Sequence, residues 1–233
     1  MESLGLIANN LANSSTAGFK ADREIYGQYA AREADAAGQP LTLAPALGKS
    51  WTDFAQGSLQ HTGKSTDLAL SGPGFFVLQG PSGALYSRAG GLRVSPTGSL
   101  LSGDGLAVID RQNRPIQLLP NTELKISSTG DVIQNGIEVA QLQLVTFDNT
   151  GALQKVGNGH FEFPAGRTDV PVPRPANAVQ VHQGHLEASN VEPAESAVRM
   201  MHVLRQFEWL QKAMTMDGEM NRRVLDEVAK VHG

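Results

Sequence analysis

The stretch Gly72-Pro73-Gly74-Phe75-Phe76-Val77-Leu78-Gln79-Gly80-Pro81-Ser82-Gly83 decides the fold class. Its short apolar run stands between two Gly/Pro turns, the pattern of a β-strand. The pattern repeats outward. Leu106-Ala107-Val108-Ile109 follows Gly103-Asp104-Gly105, and Asn135-Gly136 marks a hairpin because both residues tolerate positive φ. Val139 to Phe147 reads as the longest strand, with Gln141 and Gln143 alternating against Leu142 and Leu144. A turn unit recurs at Thr97-Gly98, Thr129-Gly130 and Thr150-Gly151, followed by Leu100, Val132 and Leu153. Its spacing is unequal, which indicates repeated hairpin chemistry and not a solenoid. Gly166 to Pro175 reads as an irregular excursion. The predicted β zone runs from about Thr52 to Glu187.

Helical patterns flank it. Leu4, Leu6, Ile7, Leu11 and Ala12 form one apolar face, and Asn13 to Gly18 ends that helix with short polar side chains and a capping glycine. Phe19 to Leu47 reads as a connector, helix-friendly over Ala30–Ala37 but interrupted by Gly38, Pro40 and Pro45. A long helix is predicted from Pro193 to Val231, with Asn190 or Glu192 near its start and Pro193 in the first turn. At roughly 60 Å it overhangs a domain of this size, whose radius of gyration is about 15 Å. Its apolar positions, among them Val198, Met201, Leu204, Phe207, Leu210 and Met214, must therefore meet something outside the β domain. Five of the six methionines fall in this zone, which suits adaptable packing against a partner. The division expected is residues 1–50 as helix and connector, 51–188 as β domain, and 189–233 as the long helix. The fold class is mainly β: a central antiparallel domain of short strands flanked by two terminal helices that pair into an assembly region.

Composition excludes several functions. Of 233 residues, 40% are hydrophobic and 18% charged, so a folded core is expected. The net charge of −4 leaves no basic footprint for nucleic acid or a membrane surface. With no cysteine, disulfides, thiolate nucleophiles and cysteine-ligated zinc are ruled out. No segment has the ~18 apolar residues of a membrane span, and the first twenty residues lack the pattern of a signal peptide. Gly63-Lys64-Ser65-Thr66 imitates a phosphate-binding loop, but the earlier glycine, Gly57, is one residue too far and a strand pattern follows. His182, His185 and Glu187 invite a metal, yet on a strand positions three apart point to opposite faces; a polar strand with surface histidines is expected instead. His160 has no obvious partner. Asp104, Asp110 and Asp131 lie in or near turns, where Asp bonds backbone amides. No Gly-x-Ser-x-Gly elbow occurs. No catalytic, cofactor or metal site is expected, and the chain is not expected to be an enzyme.

Ala8-Asn9-Asn10-Leu11-Ala12-Asn13-Ser14-Ser15-Thr16-Ala17-Gly18-Phe19-Lys20 closely resembles the N-terminal signature of the flagellar rod and hook axial proteins. Gly184-His185-Leu186-Glu187-Ala188-Ser189-Asn190-Val191 resembles their C-terminal signature, and Arg205-Gln206-Phe207-Glu208 a further C-terminal element. Thr66–Leu70, Gly72–Val77 and Tyr86–Gly90 resemble the family's central motifs, so the resemblance runs through the chain in order. Length and the run Leu210–Met214 look most like the proximal rod members, with the distal rod members next. The resemblance implies a structural subunit that polymerises helically, with paired terminal helices in an inner tube and the β domain outside, forming a drive shaft that transmits torque. It implies other rod subunits and further copies of itself as partners, and the flagellar export apparatus as the route to the periplasm-spanning basal body without a cleaved signal peptide. No small-molecule substrate or cofactor is implied. The alternatives are a distal rod subunit and a monomeric assembly adaptor of the same fold. Assembly contacts are expected at Leu6, Asn9, Asn10, Leu11, Asn13, Phe19, Asn190, Val198, Met201, Leu204, Phe207, Leu210 and Met214. Only seven residues precede Ala8, whereas the family has several further helical turns there. The natural start is therefore expected upstream of Met1, or the subunit is shortened.

Overall fold

The computed structural model describes residues 2–24, 26–30, 43–47, 50–119, 122–164 and 171–231. Helix α1 spans Glu2–Ala12 and helix α2 spans Pro193–Val231; between them, among the described residues, lie short strands and one 3-10 turn, Thr150–Ala152. The chain forms two compact units. One joins the terminal segments, up to Ala12 and from Glu192, and the other is Asn13–Val191. In the first unit α1 packs along α2. The predicted bounds of the long helix match those observed. The Ser196 N–H donates to the Glu192 carbonyl, so Glu192 caps the helix and Pro193 sits where its missing N–H costs nothing.

The β unit is built around Phe75–Gln79. This strand pairs antiparallel with Ala84–Ser87, Ala107–Val108 and Leu144–Thr146 inside a nine-stranded sheet. Its side chains alternate between two cores. Phe76 and Leu78 pack with Leu68, Leu70, Leu100, Val108 and Leu142, while Phe75 and Val77 pack with Tyr86, Val145, Phe147 and Phe161. Burial on both faces is why the strand reads as an unbroken apolar run. The second core is aromatic, with edge-on pairs such as Tyr86–Phe147 at 4.8 Å and Phe54–Phe161 at 4.9 Å between centroids.

Asn135-Gly136 forms the expected hairpin between Asp131–Gln134 and Ile137–Gln141, with φ of 54° and 78°. The other recurrent turn has a different rule from the one expected. At Ser95, Ser102, Asp110 and Ser127 the side-chain oxygen accepts the N–H four residues on, the carbonyl accepts the N–H three residues on, and that third residue has positive φ. These are hydrogen-bonded four-residue turns closed by a left-handed residue. The first oxygen and the fourth position define the turn, and the threonine does not. Thr150-Gly151 accordingly departs from the pattern and forms a 3-10 turn capped by Asn149.

Three expectations are corrected. The connector contains strands: Tyr26–Ala30 pairs with Leu43–Leu47, while the helix-friendly stretch lies almost wholly outside the described residues. Val139–Phe147 is not one strand. At Leu142 and Gln143 the backbone turns to the carbonyls of Gly130 and Ile109, so Ile137–Gln141 stays with a three-stranded sheet and Leu144–Thr146 joins the large one. Part of the Gly166–Pro175 excursion lies outside the described residues, but Arg174–Pro175 pairs with Val145–Thr146.

Candidate functional site

The two terminal motifs meet in the β unit. After α1, the turn at Asn13–Gly18 delivers residues 18–23 as an extended strap. Gly18 has φ 71°, and a Cβ there would lie 2.4 Å from the Ala89 nitrogen, so only glycine fits. The Gly18 N–H donates to the Glu187 carbonyl at 2.7 Å, and the Asn190 N–H donates to the Phe19 carbonyl at 3.4 Å. On its other edge the strap accepts the Asp53 N–H at the Ala21 carbonyl and pairs Asp22 and Arg23 with Thr52 and Trp51. Asn190 bridges both edges. Its Oδ1 accepts the Ala21 N–H at 2.7 Å, and its Nδ2 donates to the carbonyls of Asp53 and Ala55.

Alternation along the strap sends Phe19 and Ala21 into a small apolar cluster with Val191, and Lys20 into the interior. Lys20 Nζ donates to Glu187 Oε1 at 2.5 Å and to the Ala55 carbonyl at 2.8 Å. Glu187 also accepts the Gly57 N–H at 3.0 Å and lies 3.4 Å from Arg88 Nη1. Arg88 donates in turn to the Gly72 carbonyl at 2.7 Å. Burial pushes the Lys20 ammonium and the Arg88 guanidinium below their ordinary ranges, against the upward pull of the Glu187 carboxylate. Glycines admit this close approach: a Cβ at Gly57 would lie 2.0 Å from the Ala188 oxygen, and one at Gly90 1.7 Å from the Leu68 oxygen.

The expected site residues therefore divide. Phe19 and Asn190 are brought together in the β unit. On α1, Leu6, Asn10 and Leu11 are half-buried and Asn9 is exposed; Asn13, just after it, is half-buried. On α2, Val198, Met201, Leu204, Phe207, Leu210 and Met214 are all exposed, Met214 to 75%, and every residue from Leu204 to Met220 is exposed. Sequence reasoning missed Lys20, Arg88 and Glu187. The available signal was that Lys20 ends the N-terminal motif, Glu187 lies within the C-terminal motif, and Arg88 lies within the central Tyr86–Gly90 motif. Glu187 is thus a buried ion-pair partner and not a polar surface residue. His160 also has a partner, its Nε2 lying 2.6 Å from Asp104 Oδ2. Among the described residues no group of three or more His, Asp or Glu is placed to hold a metal. Gly63-Lys64-Ser65-Thr66 leads into the strand Leu68–Ser71, not into a helix N-terminus that would take a phosphate. Nor, among the described residues, is any helix long and apolar enough to cross a membrane.

Residues 69–183 match the family model described as the flagellar hook protein FlgE/F/G D1 domain, and residues 182–227 match that of the flagellar basal body rod FlgEFG protein C-terminal region. The chain is 30% identical to the flagellar basal-body rod protein FlgF of Caulobacter vibrioides, over 98% of this chain and 93% of the relative. It is 34% identical to FlgF of Mesorhizobium japonicum over 88% and 83%, and 30% identical to the rod protein FlgG of Buchnera aphidicola subsp. Schizaphis graminum over 95% and 92%. The family models cover Arg88 and Glu187 of the buried cluster and most of the exposed helix, the Caulobacter relative covers nearly the whole chain, and on this evidence the chain belongs to the FlgE/F/G family of flagellar rod and hook proteins.

Proposed function

We propose that the chain is a structural subunit of the flagellar basal-body rod, of the proximal FlgF type, acting by helical assembly and without turnover. The observation that carries this is the exposed apolar run of α2 from Val198 to Met214. An apolar surface of this extent, on a helix whose residues from Leu204 to Met220 are all exposed, needs an intermolecular partner. Its partners are further copies of the chain and other rod subunits. Such contacts need not close on themselves, and repetition of a non-closing contact builds an open tube. Packed helices then supply the stiffness a drive shaft requires. The subunit reaches the periplasm-spanning rod through the flagellar export apparatus, and no nucleic acid or small-molecule substrate takes part. Within the assembly, contacts are assigned to Leu6, Asn9, Asn10, Leu11 and Asn13 and to the six apolar residues of α2 named above, whereas Phe19 and Asn190 hold the strap within the subunit. The identity to FlgG supports a second reading, a distal rod subunit of the same architecture.

The test is mass spectrometry of purified hook–basal bodies from the native cell, with wild-type chain and with Phe207→Asp or Leu210→Asp. Stoichiometric wild-type chain and loss of either variant support the proposal. Complete basal bodies lacking the chain overturn it in favour of a monomeric adaptor. Mapping by immunogold labelling to the membrane-proximal or the hook-proximal end separates the FlgF-type from the FlgG-type reading.

A further inference from the structure

The buried cluster is poorly built as a source of stability. It sets two cations against one carboxylate, the Glu187–Arg88 contact is long at 3.4 Å, and Arg88 Nε has no hydrogen-bond partner among the described residues. Desolvation of buried ions commonly outweighs their attraction, and well-packed apolar replacements are often neutral or stabilising. What the cluster does provide is register. The backbone hydrogen bonds of the strap are the same for any residue type, and strand register is held only by the side chains that must lie on each face. A slip of one residue would place Lys20 in the apolar cluster of Phe19, Ala21 and Val191. It would also leave the Glu187 carboxylate and the Ala55 carbonyl without their ammonium.

We infer that Lys20, Arg88 and Glu187, with Asn190 at the outer end, are positioning residues: a register lock fixing residues 18–23 against 187–190. Both segments lie inside the β unit, close in sequence to the points after Ala12 and Val191 at which the chain passes to the terminal helices, and rod assembly requires this register. The second half of the inference rests on the rod reading above; the first does not.

The cysteine-free chain allows spin labels to be placed at Ser15→Cys and Ser58→Cys alone, in the full chain; both positions are exposed and within the β unit, and the Ser58 carbonyl accepts the Ala188 N–H. Electron-resonance distance measurements are made with and without the apolar set Lys20→Met, Arg88→Met and Glu187→Leu. Expected are a thermal midpoint within about 4 °C of wild type, a narrow distance distribution that becomes broad or shifted in the apolar variant, and loss of that variant from basal bodies. An unchanged distribution in the folded variant overturns the lock whatever the rod reading. A broadened distribution with normal incorporation overturns the link to assembly. Should wild type itself be absent from basal bodies, the rod reading fails while the distance measurement still decides the lock. If the apolar variant does not fold, Asn190→Ala serves instead, since it removes the bond to the Ala21 N–H and the ties to the Asp53 and Ala55 carbonyls without stranding a buried charge. A narrow distribution there overturns the lock equally.

Discussion

Lys20 Nζ and Glu187 Oε1 lie 2.5 Å apart although 167 positions separate them in sequence, and neither side chain has any exposed surface. Removing the carboxylate charge alone is a different perturbation from replacing the whole cluster. Glu187→Gln leaves two buried cations without a counter-charge, and breaking a buried pair from one side costs about 3–5 kcal/mol. Urea unfolding of the purified chain followed by circular dichroism is expected to show that loss at neutral pH. A Glu187→Gln variant as stable as wild type would mean that water or relaxation compensates the cations.

Close backbone approach gives the second prediction. Gly90 has no room for a side chain, because a Cβ would meet the Leu68 oxygen at 1.7 Å, and the Leu68 N–H donates to the Gly90 carbonyl in the same pairing. Backbone must move on both sides, so Gly90→Ala is expected to lose at least about 3 kcal/mol. Gly136→Ala puts a side chain into open space but at φ 78°, and is expected to lose only about 1 kcal/mol. Parallel urea titrations of the two variants rank them; equal losses would contradict the distinction between a clash and backbone strain.

Acid sensitivity follows from the turn carboxylates. Hydroxyl donors Thr129 and Ser127, with Gln141, hold Asp131 below its ordinary range. Burial pushes Asp110 up, but the Arg114 amide and guanidinium and the Gln112 amide outweigh it and leave the group lowered. A lowered folded-state pKa means that the unfolded chain takes up protons first as pH falls. The contribution is complete above about pH 4, the unfolded carboxylate value, and is lost as pH drops through the folded value. Stability is therefore expected to fall steeply below about pH 4. The double variant Asp110→Asn, Asp131→Asn should be less stable at pH 7, by about 1–3 kcal/mol per site, with a shallower acid limb. Urea midpoints measured from pH 7 to pH 3 check both; parallel curves for variant and wild type would exclude these carboxylates as the cause.

What the sequence revealed, and what it hid, divides along one physical line. Local patterns were legible: the Pro193–Val231 helix from its period and capping residues, the Phe75–Gln79 strand from its flanking turns, and the hairpin at Asn135-Gly136. Structure dictated by distant partners was not. Leu43–Leu47 contains Pro45, which argues against a strand until Gln28 is seen opposite it. Val139–Phe147 looks continuous because both of its halves are apolar, and only the carbonyls of Gly130 and Ile109 reveal the crossing between sheets. At the site, the exposed face of α2 follows from periodicity and excess length. A lysine, an arginine and a glutamate far apart in sequence carry no sign that they are buried together.

The exposure of α2 gives the last prediction. Every residue from Leu204 to Met220 is exposed, so in the dilute subunit this stretch is supported by helix propensity and little tertiary packing. Helices without packing are marginal in water. Amides of Leu204–Met220 are therefore expected to exchange by local opening, far faster than those of Leu68–Ser71 and Phe75–Leu78, which are released only on global unfolding. Gly218 lies in this stretch with open space around it, so Gly218→Ala should slow local exchange by stabilising the helix about 0.8–1.0 kcal/mol without changing the exchange of the β unit. Hydrogen-exchange mass spectrometry of the purified chain at several concentrations makes the measurement. Protection of Leu204–Met220 that rises with concentration while the β unit stays constant would locate the intermolecular contact on the exposed helix. Strong, concentration-independent protection would show that the helix is already packed within the subunit, and would remove the observation on which the assembly proposal rests.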